Sequence, residues 1–179
     1  METSLNGWTA IKDSHSPNLI GITIPTTNHT IHAAKGPHIV FAAYLADWNR
    51  LMTDRLKLTD KQMVACWVYR QARSGAGLSN HSSGTAVDVC WNTVLKADNK
   101  KHMTAEENTI LKKILSFYVT SDGHHILSNG EHWGQSDGMH TELSQGWDKE
   151  AGAKRTTTMK DVIEVINILK IDSHGKRPH

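Results

Sequence analysis

The chain has 179 residues, 38% of them hydrophobic, and a formal net charge of +2. That length and apolar content suffice for one globular domain with its own core and exclude a disordered polar tail. The near-neutral balance, with Lys and Arg scattered, excludes a nucleic-acid-binding surface.

No run approaches the roughly 18–20 apolar residues of a membrane span. Residues 1–8 lack the charged and apolar regions of an export signal, so neither a signal peptide nor a stable membrane association is expected. In chain order, short strands are predicted from Gly7 to about His32: Trp8–Ile11, Leu19–Ile24 ahead of Pro25, and Thr30–His32. This N-terminal β segment, about residues 1–36, carries no chemistry of its own. Pro37 suits the first turn of a helix, and Val40, Ala43, Tyr44, Trp48, Leu51 and Met52 recur at helical spacing to about Arg55. Met63–Tyr69 is apolar and β-rich, a predicted buried strand that delivers Arg70 and is followed by the small-residue loop Gln71–Gly77, which holds Arg73. Cys66 and Cys90 lack CxxC spacing and are expected as buried free thiols.

Thr104-Ala105-Glu106-Glu107 is a capping box, backed by a helical stripe of Ile110, Leu111, Ile114, Leu115 and Tyr118. His124–Leu127 reads as a short strand and Asn129–Gly134 as a turn-rich loop. After Gln145-Gly146 a polar connector leads to a helix capped by Thr158, with Val162, Ile163, Val165, Ile166 and Leu169 facing inward. His174–His179 reads as a frayed tail.

Two stretches carry chemistry. Leu78–Val89 begins small and polar and becomes apolar around Asp88, as a tight loop entering a buried strand does. An ionised carboxylate in such a strand must be paired, hydrogen-bonded or metal-bound, and His81 lies seven positions earlier across a Ser-Ser-Gly bend. Taken alone, Asp88 reads as a salt-bridged strand residue and His81 as a loop histidine. The second stretch, Asp137–Leu143, shifts that balance: Met139-His140-Thr141-Glu142-Leu143 alternates like a half-buried strand and sets another histidine beside another carboxylate. Two histidines and a carboxylate from separate strands are a common catalytic zinc set. Twelve histidines make abundance alone uninformative. His124, His125 and His132 are rival ligands, though adjacent strand histidines point to opposite faces. On pattern alone Arg70 is either an ion pair at a strand end or a guanidinium for a substrate carboxylate.

Set side by side, Tyr69-Arg70, the Ser79-to-Asp88 pattern S-x-H-x-x-G-x-A-x-D and the Asp137-to-His140 pattern D-x-x-H resemble the peptidase M15 family. Its members include D-alanyl-D-alanine carboxypeptidases and phage endolysins that cut the L-alanyl-D-glutamate bond of peptidoglycan. The resemblance runs from about Trp67 to Leu143, with an echo at Asn6-Gly7-Trp8. It implies that His81, Asp88 and His140 bind zinc, that Asp137 is the general base and that Arg70 contacts substrate. It also implies an α+β fold, a small central antiparallel sheet flanked by helices, like the hedgehog signalling domain and the DD-peptidases. Glu142, two residues beyond His140 on the same strand face, is expected to orient a ligand. Ser79 is expected to hydrogen-bond ligand or substrate, or simply to cap its loop, and Arg73 and His132 are assigned to the surroundings of the substrate, with His132 within reach of the attacking water. Relatives commonly carry an aromatic residue where this chain has Thr141, and Gly-Gly-Asp-Trp where it has Gly130-Glu131-His132-Trp133. Both departures are expected to line the cleft and to bear on substrate preference.

The expected protein is therefore a single zinc peptidase domain over residues 1–179, with a catalytic core at about 37–145 and a connector and helix at about 146–179. It is expected to act as a monomeric phage endolysin that waits in the host cytoplasm and attacks bacterial peptidoglycan after lysis begins. The nearest alternative is a D-alanyl-D-alanine carboxypeptidase. From another class comes a non-catalytic, zinc-stabilised wall-binding or phage structural module. A serine hydrolase is disfavoured because no G-x-S-x-G elbow surrounds Ser82 or Ser83.

Overall fold

The computed structural model describes residues 1–73, 75–96, 98–145 and 155–178. It is an α+β arrangement of three α-helices and two antiparallel sheets. Strands β1 (Leu19–Thr23) and β2 (Thr30–Ala34) form a hairpin. A four-stranded sheet follows in the order β3 (Val64–Ala65), β4 (Ala86–Val89), β6 (Asp137–Leu143), β5 (Leu127–Gly130), all neighbours antiparallel. The connector expected after Gln145 falls mostly outside the described residues. Among the described residues no helix is long and apolar enough to cross a membrane.

Helix α1 (Pro37–Leu51) opens on proline, whose missing N–H costs nothing in a first turn. Its buried face, from Val40 and Phe41 to Tyr44, Leu45 and Trp48, lies in the core among the hairpin and the other two helices and reaches the four-stranded sheet at Tyr44. Tyr44 Oη lies 2.8 Å from Thr141 Oγ1, and the Tyr44 ring meets Trp48 at 5.9 Å and Tyr118 at 6.3 Å. One apolar cluster runs from Ile22 of β1 to Ile171 after the last helix, so hairpin, sheet and helices share a core.

Helices α2 (Ala105–Leu115) and α3 (Met159–Leu169) both start in complete capping boxes, Thr104 with Glu107 and Thr158 with Asp161. Each box satisfies two N-terminal N–H groups that the helix itself leaves without partners. On α3 Val162 and Val165 are buried, but Ile163, expected to face inward, is 51% exposed.

Other departures from expectation share a cause in tertiary hydrogen bonding. Trp8–Ile11 forms no strand; Thr9 makes an isolated bridge to Thr3, and this segment belongs to an N-terminal arm that packs beside Leu78. Of Met63–Tyr69 only Val64–Ala65 pairs in the sheet. Beyond it, Trp67 N–H donates to His32 O at 2.9 Å and Val68 N–H to His81 O at 3.2 Å, while Met63 and Val68 are exposed. The expected strand at His124–Leu127 begins at Leu127, and Asn129 and Gly130, expected in a loop, close the same strand. The tail is not frayed through Pro178. Arg177 bonds buried Asp47 at 2.7 Å and lies 4.5 Å over the Phe117 ring, and Gly175, at φ +77°, sits so close to Ala42 that a Cβ would clash.

Candidate metal centre

Asp88 and His140 are directly opposite each other in the β4–β6 register, so their side chains leave the same face of the sheet side by side. His81 reaches them from a 3₁₀ turn over Asn80–Ser83, which Ser79 caps by accepting the His81 N–H at 3.3 Å. That contact is the loop-capping role considered for Ser79. The turn closes on Gly84 at φ +67°, where a Cβ would stand 2.6 Å from Ala34 N of β2. Glycine is therefore required twice at this position, for its backbone angle and for the close approach.

The three side chains converge on one point. His81 Nε2 lies 3.1 Å from Asp88 Oδ1 and 3.2 Å from His140 Nδ1, and His140 Nδ1 lies 2.8 Å from Asp88 Oδ1. All three residues are buried, and the two imidazoles meet edge to face at 4.9 Å. The far nitrogen of each ring has an acceptor of its own. His81 Nδ1 faces the Cys66 carbonyl, and His140 Nε2 faces Glu142 Oε2 at 2.8 Å. Neither acceptor can donate, so each far nitrogen carries the proton, and in the neutral rings the near nitrogens present lone pairs. Two lone pairs and a carboxylate oxygen then point at one another with no donor among them. Such a set calls for a cation, and its donor chemistry and outer hydrogen bonds fit a divalent metal.

The same convergence draws a proton. Burial opposes charge on His140, but its hydrogen bonds to Asp88 and Glu142 outweigh that and push its pKa up to about 10. Burial likewise opposes ionisation of Asp88, and the hydrogen bonds from His140 and His81 prevail, holding its carboxyl well below the usual carboxylate range. A metal competes with that proton for the same lone pairs.

The centre forms part of the wall of a cleft of about 150 Å³, which Asp137, Arg70, Arg73 and Ser79 also line. Asp137 opens β6, three residues before His140, and its buried Oδ1 has no hydrogen-bond partner among the described residues. Burial, reinforced by the negative charge of Asp88, raises its pKa above the usual value. Glu142 also accepts from Asn80 Nδ2 at 2.6 Å and, on its other oxygen, from Gln145 Nε2 at 2.6 Å. These donors, with His140, overcome burial and keep its carboxyl ionised below its usual pKa.

No protein-family model, curated protein or solved structure matches this chain.

Two expected contacts with the cleft are not made. His132 is exposed and bonds Asn108 of α2 at 2.8 Å, and it is the neighbouring Trp133 that lines the cleft, its ring 5.5 Å from that of His140. Thr141 faces the core, held by Tyr44 and by Asn129 Nδ2 at 2.8 Å. Nor is β6 half-buried: every residue from Gly138 to Leu143 is buried. The face bearing His140 and Glu142 is covered by the Asn80 turn and the N-terminal arm, which brings Leu5 to the cleft. Leu5 and Gln145 join the site without any sequence signal; Asn6 stood in the N-terminal echo of the family pattern, Asn80 at one of its variable positions and Trp133 in a segment expected to line the cleft, none with a role of its own.

Proposed function

We propose that this chain is a zinc-dependent peptidase that cleaves bacterial peptidoglycan stem peptides at the L-alanyl-D-glutamate bond. Its α+β sheet and helices belong, on this reading, to the hedgehog and DD-peptidase type, and the protein is a phage endolysin that acts on the wall from the host cytoplasm once lysis begins. The observation that carries the proposal is the convergence of His81 Nε2, Asp88 Oδ1 and His140 Nδ1 within 3.2 Å of one another beside the partnerless oxygen of Asp137.

His81, Asp88 and His140 would hold zinc, which when bound supplies a Lewis acid for the scissile carbonyl and lowers the pKa of its coordinated water. Asp137 does the proton work. A carboxylate with a free oxygen and a raised pKa takes a proton from the attacking water and delivers it to the leaving amine. Arg70 and Arg73 bring guanidinium groups to the cleft, suited to the free carboxylates of a D-glutamate-containing stem. Trp133, 37% exposed, offers an apolar face at the same cleft.

The test is digestion of purified walls by the zinc-loaded protein. New amino-terminal D-glutamate is the expected product. Free D-alanine alone would reassign the bond to a carboxypeptidase, and walls left intact by a protein that binds zinc would leave a non-catalytic module.

A further inference from the structure

The N-terminal arm is threaded into the polar network behind His140. Asn6 N–H donates to Asn80 Oδ1 at 2.9 Å, Asn80 Nδ2 donates to Glu142 Oε2 at 2.6 Å, and that same oxygen accepts from His140 Nε2 at 2.8 Å. Asn6, Asn80 and Glu142 are all buried. An amide side chain can present either end to a neighbour, and here its orientation has consequences. With its oxygen toward Glu142 it would set two acceptors face to face and weaken the carboxylate that holds the His140 proton. A backbone N–H can only donate, so Asn6 holds Asn80 with its oxygen toward the arm and its NH₂ toward Glu142.

The arm is itself firmly held. Asn6 Nδ2 donates to Thr85 Oγ1 at 2.8 Å, and Asn6 Oδ1 accepts from Ser4 Oγ at 2.7 Å. Ser4 Oγ also lies 2.8 Å from Ser83 Oγ, and Leu5 N–H donates to Leu78 O at 3.0 Å. Thr85 and Ser83 flank the glycine that closes the His81 turn, and Asn6 Nδ2 also reaches Leu143 O of β6 at 3.4 Å, so the arm touches the segments that carry both histidines.

We propose that Asn6 and Asn80 are positioning residues for the metal centre: docking of the arm fixes the Asn80 amide, which with Glu142 keeps the His140 proton on Nε2 and its Nδ1 lone pair aimed at the ion. This rests on the metal-binding reading above and adds that the first residues of the chain set metal affinity.

The test compares the wild-type chain with Asn80→Asp, nearly isosteric but presenting a carboxylate to Glu142, and with Asn6→Ala, which leaves every group at the centre and the residue 6 N–H intact and removes the side-chain bonds of Asn6 to Thr85 and Leu143 that seat that N–H. Zinc affinity is measured by chelator competition. Cobalt-loaded protein is examined by proton magnetic resonance, where the N–H of each ligating imidazole gives its own paramagnetically shifted, exchangeable signal. Asn80→Asp is expected to weaken zinc binding about 10–100-fold and to speed exchange of the His140 N–H while the His81 N–H, held by Cys66 O, stays sharp. Asn6→Ala should move both readouts the same way to a smaller extent, which decides the matter should Asn80→Asp fail to fold. A purely structural network would lower the melting temperature and leave the affinity and the His140 signal unchanged; that result overturns the inference. A wild-type chain that binds no metal overturns the metal reading along with it, whereas normal wild-type binding with unaltered variants sinks the positioning role alone.

Discussion

Apart from Glu131, which Ser136 Oγ bonds at 3.2 Å, the buried carboxylates of the described residues occur in two kinds of surroundings. Three around the core face an arginine: Glu107 is bonded by Arg55, Thr53 Oγ1 and the Thr104 N–H, and Asp47 by Arg50 at 2.9 Å, Arg177 at 2.7 Å and Tyr118 Oη at 2.9 Å. Asp161 likewise joins Arg155 to the α3 cap. In the cleft, Asp88 and Glu142 face imidazoles and amides, and Asp137 keeps a buried oxygen without a partner. A guanidinium is a permanent cation that closes a site, whereas two imidazole lone pairs beside a carboxylate leave a place for a cation to be bound. The first kind of site serves stability. The second keeps binding and proton-accepting capacity that stability alone would not maintain.

The largest effect that can break this contrast is the response to metal. Zinc at about a thousand times its dissociation constant should add about 4 kcal/mol, a rise of about 8–16 °C in melting temperature for a chain of this size. Asp88→Ala or His140→Ala should abolish that rise, while Glu107→Gln should leave it intact. A rise that persists in Asp88→Ala would move the metal to other residues.

Asp137 sharpens the contrast next. Asp137→Asn should lower wall hydrolysis about 10²–10⁴-fold with zinc affinity retained. Because burial disfavours its charge and one oxygen has no donor, the same change should leave the melting temperature level or raise it. Unchanged turnover, or a large loss of stability, would remove Asp137 from the role of base.

Elements whose signals are local were legible in the sequence: the Pro37 start of α1, the Thr104 and Thr158 caps, the strands β1 and β2 though not their pairing, and the two segments that carry His81, Asp88 and His140. The α+β class came from the resemblance and not from those local signals, and three helices with two antiparallel sheets are compatible with it. What stayed hidden is decided by partners far along the chain. Met63–Tyr69 has the composition of a strand, yet its N–H groups go to His32 and His81 and not to a continuous ladder. Asn6 and Asn80 sit among Ser, Gly and Asn, a composition that reads as ordinary turn, and only the packing of residues 74 positions apart shows that one orients the other. Likewise the pull of Asp47 on Arg177, 130 positions away, docks an end that composition alone marks as loose.

Glu107 tests the stabilising half of the contrast. Its side chain is buried but Arg55 is partly solvated, so Glu107→Gln should cost about 2 kcal/mol, less than the 3–5 of a fully buried pair, and lower the melting temperature by about 4–8 °C. Burial opposes its ionisation, and the bonds from Arg55, Thr53 and Thr104 N–H outweigh that and hold its pKa at about 2. A depressed folded-state pKa contributes stability that is complete above the ordinary value of 4.5 and is lost as the pH falls from there through about 2. The gap in melting temperature between wild type and Glu107→Gln should therefore be full at pH 7, about half as large by pH 3, and smaller still at pH 2. A gap that stays constant over that range would mean that the carboxylate gains nothing from its partners, and that arginine-paired acids are no more settled in this fold than those of the cleft.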